Sequence, residues 1–251
     1  MHRQLTRTLM AVVATSLAIT GCTTMARTDS VQGANSTECV VLLHGLNRSF
    51  RAMDKMAAAL QAADFSTVNV DYPSQSGPVE QIAPVAVDTG LEQCRALGAE
   101  KIHFVTHSMG GILLRWSQQT NPIPDLGRVV MLGPPNQGSE LVDETREWAI
   151  ARMVTGEAGS QLGTDEESIP AQLGPVDFEL GVIAGAGTIS PFMSAILPAY
   201  DDGVVSVAGT RVLGMADFMI VESSHSFLMK SQTVIRNTVA FLQTGTFPRI
   251  R

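Results

Sequence analysis

The chain has 251 residues, 45% of them hydrophobic and only 16% charged, which suits one α/β domain with a sizeable buried core. A formal net charge of −7 gives no sign of the basic face that nucleic-acid binding would want. The sequence holds no internal repeat and no low-complexity tract.

The N-terminus is a separate object. "MHRQLTRTLMAVVATSLAITGC" has Arg3 and Arg7, an apolar run from Leu9 to Ile19, then Gly21 and Cys22. That is the layout of a secretory signal, too short for a comfortable membrane span. "ITGC" resembles a bacterial lipobox, in which Cys22 becomes the first residue and carries acyl chains. Ordinary cleavage nearby, with Cys22 inert, is the plainer alternative. Thr23 follows, where similar Gram-negative lipoproteins need aspartate for inner-membrane retention. The expectation is therefore an exported protein on the periplasmic face of the outer membrane, held to it by an N-terminal lipid. Residues 1–21 are the expected signal peptide, residues 22–36 a flexible tether, and residues 37–251 the folded domain.

"ECVVLLHG" (Glu38 to Gly45) is a continuous apolar run, as in a parallel strand buried on both faces. Ser49 is placed to cap the next helix, along which Met53, Met56, Ala57 and Leu60 share one face. "STVNVDYP" reads as a second strand, followed by a helix starting near Pro84 and stopping at Gly98. "KIHFVTH" is a third strand and "GGILLRWSQQT" its helix. "RVVMLGPP", "LGVIAGAG" and "DFMIVES" are the fourth, fifth and sixth strands. A last helix runs from about Ser231 to Gly245, with Ile235, Thr238, Val239 and Leu242 on one face. Alternating strands and helices imply a mostly parallel sheet with helices on both faces. Residues 139–178 break this rhythm. They are rich in glycine and acids and hold Trp148, and read as a small inserted cap or as a solvated loop.

Ligands bind at the C-terminal ends of strands in such sheets. Ser108 lies at one of these ends, where "KIHFVTH" turns into a helix, with Gly110 and Gly111 just behind it. The first helical amides would point at whatever binds there. A serine hydroxyl needs a base to become a nucleophile. Of the five histidines, His2 is in the signal, His103 lies within a strand, and His44 and His107 belong to their own turns. Only His225, in "ESSHSF", lies downstream of Ser108 and at the correct end of the sheet. An acid should orient it, and "YDDGVVSV" offers Asp201 and Asp202. Each residue also has a bland reading: the serine as a helix cap, "DG" as a turn signal, the histidine as an ordinary loop residue.

"THSMGG" resembles the nucleophile elbow of the α/β-hydrolase superfamily. "VVLLHGLNR" is similar to the oxyanion strand and loop of small bacterial lipases and of the GPI-inositol deacylase-like group. "DDGVVSV", "SSHSFLM" and "VMLGPPNQGS" resemble the acid loop, the histidine loop and a post-strand segment of bacterial lipases. The likeness runs from Glu38 to Phe247 and implies a single α/β-hydrolase domain with the triad Ser108, Asp202 and His225. It implies an oxyanion hole from the amides of Leu46 and Met109, an acyl-enzyme intermediate, and no metal or organic cofactor. The elbow departs from the G-x-S-x-G pattern at Thr106, a position that favours a small side chain. The expected substrate is a small-molecule or lipid ester. Acyl transfer or phospholipase-type deacylation would use the same triad, and a non-catalytic binding lipoprotein would use only the fold. In this fold Cys39 and Cys94 fall at the lower rim of neighbouring elements, either as a disulfide favoured by export or as two buried thiols.

Overall fold

The computed structural model describes residues 26–34, 36–188, 195–198 and 200–249. The signal segment and Cys22 lie outside the described residues. Seven strands form one sheet: β1 (Arg27–Val31), β2 (Glu38–Leu43), β3 (Ser66–Asp71), β4 (Lys101–His107), β5 (Leu126–Leu132), β6 (Leu180–Gly185) and β7 (Asp217–Val221). Their spatial order is β1-β3-β2-β4-β5-β6-β7. All neighbours pair in parallel except β1, which runs antiparallel to β3.

The apolar strands read as continuous because each faces two cores. Cys39, Val41 and Leu43 of β2 join one buried cluster and Val40 and Leu42 the other. Helices α2 (Val79–Ala96) and α3 (Met109–Thr120) cover the first face. Helix α1 (Asp54–Ala62) and the C-terminal helix α7 (Gln232–Thr244) cover the second. Helix α7 ends at Gly245 with φ 81°, the left-handed cap its glycine allows.

Three local expectations are corrected. Residues 27–31, expected within the tether, form the edge strand β1, from Arg27 opposite Asp71 to Val31 opposite Thr67. An exposed edge is held by backbone pairing, so its polar "RTDSV" carries no hydrophobic signal. Side chains of β3 and the turn before it clasp the chain beyond it, with Gly33 N–H donating to Ser66 Oγ at 3.0 Å and Ala34 N–H to Asp64 Oδ1 at 3.0 Å. Ser49 makes no capping hydrogen bond with its side chain, and the turn it opens is a 3-10 segment, Phe50–Met53, that leads into α1. Helix α2 begins at Val79 and carries Pro84 inside it. Its free N-terminal amide at Val79 is capped by Gln161 Oε1 at 2.7 Å, a partner far along the chain.

Between β5 and β6 lie α4 (Glu140–Thr145), α5 (Ala149–Ser160) and α6 (Ile169–Gln172), so the interrupted stretch carries short helices of its own. Helix α5 breaks at Gly156, where φ is 65°. Asp165 is not merely solvated, since it pairs with Arg146 at 2.5 Å, and Arg146 also pairs with Asp143. The buried guanidinium of Arg115 in α3 ties this segment down. It donates to Asn136 O and Oδ1, each at 3.1 Å, to Leu173 O at 3.0 Å and to Gly174 O at 2.8 Å. Trp148 is exposed, whereas Trp116 packs half-buried on the core.

Cys39 and Cys94 form a disulfide, with Cα atoms 5.7 Å apart. It joins the start of β2 to the last turn of α2, at the end of the sheet away from Ser108.

Candidate active site

Strand β4 ends at His107 and α3 starts at Met109, leaving Ser108 alone to make the reversal. Its φ of 53° and ψ of −124° are strained for a residue with a side chain, at about 1–3 kcal/mol. The close packing behind it explains why a glycine follows: a Cβ on Gly110 would sit 2.8 Å from Leu43 O and 2.9 Å from His44 O. Thr106 fits the tight position before the elbow, but its buried Oγ1 has no hydrogen-bond partner.

Ser108 and His225 line one cavity of about 380 Å³. His225 opens a 3-10 turn, His225–Lys230, just beyond β7. Its Nδ1 hydrogen-bonds Asp202 Oδ2 at 2.7 Å, and its backbone N–H donates to Asp202 O at 2.9 Å. The other carboxylate oxygen, Oδ1, accepts from Val204 N–H at 3.0 Å and Val205 N–H at 2.9 Å. Both Asp202 and His225 are buried. The carboxylate is therefore fixed by two amides on one oxygen and an imidazole on the other. Ser108 Oγ and His225 Nε2 share no hydrogen bond, although both groups face the cavity.

The adjacent acid points elsewhere. Asp201 Oδ1 accepts from Gly203 N–H at 2.8 Å, closing the turn that Gly203 makes with φ 94°. Asp217 lies at the start of β7, the far end, where it accepts from Phe247 N–H and Arg249.

The amides of Leu46 and Met109 make no hydrogen bond within the described residues, and Met109 opens α3, where the first amides have no intrahelical acceptor. Leu46 lines the cavity beside Ser108. His44 holds the loop that carries Leu46. Its Nδ1–H donates to Gly45 O at 2.8 Å and its ring stacks on Tyr72 at 4.1 Å, while the Tyr72 hydroxyl donates to His44 O. Burial lowers the His44 pKa and raises that of the Tyr72 phenol, so both are neutral.

Two neighbours of the motifs have roles that the sequence did not reveal. His107 donates from Nε2 to His225 O at 3.0 Å, with the two rings 4.8 Å apart. Burial first, and then the charge of His225, hold its pKa well below the usual imidazole range. His107 is thus a neutral brace for the histidine loop, and its position directly before Ser108 was the available hint. Arg48 crosses the cavity mouth and donates to Ser226 Oγ at 2.8 Å.

Residues 40–233 match the family model described as the alpha/beta hydrolase family. The chain belongs to that family. Among solved structures, this hydrolase is similar to the lipase BlEst2 of Bacillus licheniformis in its mature form, with a TM-score of 0.73. The identity is 20%, over 88% of this chain and 98% of that one. It is also similar to a monoacylglycerol lipase of Paleococcus ferrophilus, with a TM-score of 0.60 and 16% identity over 88% and 99% of the two chains. Phospholipase PlaB from Legionella pneumophila, in complex with thio-NAD, gives 0.61 and 18% over 83% of this hydrolase and 59% of that chain. At these identities the likeness concerns the fold. No curated protein matches the hydrolase by sequence.

Proposed function

We propose that this hydrolase is a serine carboxylic-ester hydrolase. The observation that carries the reading is the 2.7 Å bond between His225 Nδ1 and Asp202 Oδ2, in the wall of a cavity that Ser108 shares. With Nδ1–H given to the carboxylate, Nε2 is left unprotonated and can take the Ser108 proton. The serine oxygen attacks the ester carbonyl and the carbonyl electrons move to its oxygen. That oxyanion is held by the amides of Leu46 and Met109, each contributing about 3 kcal/mol to the barrier. The tetrahedral intermediate collapses as His225 protonates the leaving alcohol, which leaves an acyl-enzyme on Ser108. Water, deprotonated by His225, repeats the sequence and frees the acid.

The cavity wall supports an ester with an apolar acyl part, since Leu46, Leu141, Val142, Leu162 and Val205 line it. The lipase neighbours are in keeping with a lipid or small-molecule ester. Turnover of p-nitrophenyl butyrate tests the assignment: Ser108→Ala should abolish it while the circular-dichroism spectrum stays that of wild type. Retention of more than a few per cent of activity in pure protein rejects Ser108 as nucleophile.

Export and lipidation at Cys22 complete the reading, with attachment to the outer membrane facing the periplasm. Fractionation of wild type against Cys22→Ser tests it. Wild type already soluble in the periplasm rejects the anchor.

A further inference from the structure

Arg48 brings a formal positive charge to the mouth of the Ser108 cavity. Among the described residues of its wall, Arg48 is the only ionisable side chain apart from two imidazoles. Nothing in the composition predicts a cation there, because acids outnumber bases 24 to 17 over the chain. Among the described residues the Arg48 guanidinium pairs with no carboxylate. Its one hydrogen bond goes to the neutral Ser226 Oγ at 2.8 Å. A guanidinium has five N–H donors in a planar fork, so most of its donating capacity stays open to a ligand. Exposure at the mouth spares it the desolvation that burial would impose. Its charge is nonetheless felt inside the site, where it contributes to holding the buried His107 neutral.

The position of the guanidinium fixes which end of a substrate it would meet. Arg48 lies two residues beyond Leu46, whose amide is assigned to the oxyanion. Its partner Ser226 follows His225, the group assigned to protonate the leaving alcohol. The guanidinium therefore bridges the oxyanion loop and the histidine loop, beside the residue assigned to protonate the leaving alcohol. The apolar acyl wall is formed instead by residues such as Leu141 and Leu162 of the inserted segment. On the reading of Ser108 and His225 given above, we propose that Arg48 selects esters whose alcohol portion carries an anionic group, a phosphate or a carboxylate. Arginine's fork accepts either anion in bidentate fashion, which a single point charge does not. Ser226 holds the fork across the mouth, so little ordering remains to be done when the anion arrives.

Three butyrate esters test this: those of glycerol, glycerol 3-phosphate and glycerate, assayed with wild type, Arg48→Gln, Arg48→Lys and Ser108→Ala. Wild type should prefer at least one anionic ester over the neutral one, and 0.5 M salt should narrow that preference. Arg48→Gln should lower kcat/KM for the preferred anionic ester at least roughly tenfold more than for the glycerol ester, chiefly through KM, as expected for the loss of a charge-assisted contact. Arg48→Lys should recover part of the loss. A phosphate preference and a glycerate preference both support the proposal and tell the two anions apart. Equal loss on all three esters would mean that Arg48 merely braces Ser226, and would overturn it, as would an unchanged preference in Arg48→Gln. Turnover that survives Ser108→Ala instead overturns the esterase reading on which the proposal rests.

Discussion

Replacing Asp202 by asparagine changes almost nothing in shape and reverses one proton. Asp202 Oδ1 accepts from the amides of Val204 and Val205, at 3.0 and 2.9 Å. Those two donors require an oxygen, so an asparagine there keeps its carbonyl on them and turns its NH₂ toward His225. Nδ1 of His225, which faces Oδ2 at 2.7 Å, must then accept rather than donate. The imidazole proton moves to Nε2, and the nitrogen facing Ser108 can no longer act as base. In serine proteases the equivalent change lowers kcat by about 10⁴, which corresponds to roughly 5 kcal/mol of barrier. The same order is expected for Asp202→Asn, with KM little changed. Asp201→Asn keeps the oxygen that accepts from Gly203 N–H, and Asp217→Asn lies at the far end of the sheet, so both should stay near wild-type kcat. The assay is kcat on p-nitrophenyl butyrate at neutral pH for the three single variants. A crippled Asp201→Asn beside an active Asp202→Asn would refute the tautomer argument.

The Cys39–Cys94 bond closes a separation of 55 residues, so the double variant Cys39→Ala/Cys94→Ala should lose about 4 kcal/mol in the chain-entropy account, read by urea unfolding. Alkylation of both cysteines in unfolded, unreduced protein would contradict the bond. Burial lowers the pKa of His44, His103 and His107, so the unfolded chain takes up protons first as the pH falls below about 6.5. Stability contributed by each is complete above that pH and is lost below it, by up to about 1.4 kcal/mol per unit for each histidine; an unfolding midpoint that does not move between pH 8 and pH 5 would contradict this. The cavity of about 380 Å³ sits near the low end of ligand pockets, which favours short and medium acyl chains. Across p-nitrophenyl esters from acetate to palmitate, kcat/KM should be higher on butyrate, and faster turnover of palmitate emulsions would refute it.

How much of this was legible in the sequence follows from where each signal resides. The elbow was visible because a β-branched run, a serine and two glycines are local features, and Ser108 does adopt the strained reversal they suggest. The inner strands were visible because two-sided burial writes itself as unbroken apolar runs. Strand β1 was not visible, since an edge strand joined by backbone bonds needs no apolar residue. The start of α2 was hidden because its cap comes from Gln161 and because Pro84 mimics a helix start. The choice of Asp202 over Asp201 rested on likeness and on the tight turn that Gly203 permits; the geometry adds the two amides that turn the Asp202 carboxylate toward His225. The place of Arg48 was beyond local reading, because the contact that fixes it is with Ser226, 178 positions away.

The central claim is that Ser108 is a nucleophile armed by His225, and covalent labelling tests it most directly. A fluorophosphonate probe should add once to the wild-type protein, on a peptide whose fragments place the adduct at Ser108. Ser108→Ala should take up none. A folded wild-type protein that stays unlabelled, or a label on any other residue, would contradict the account.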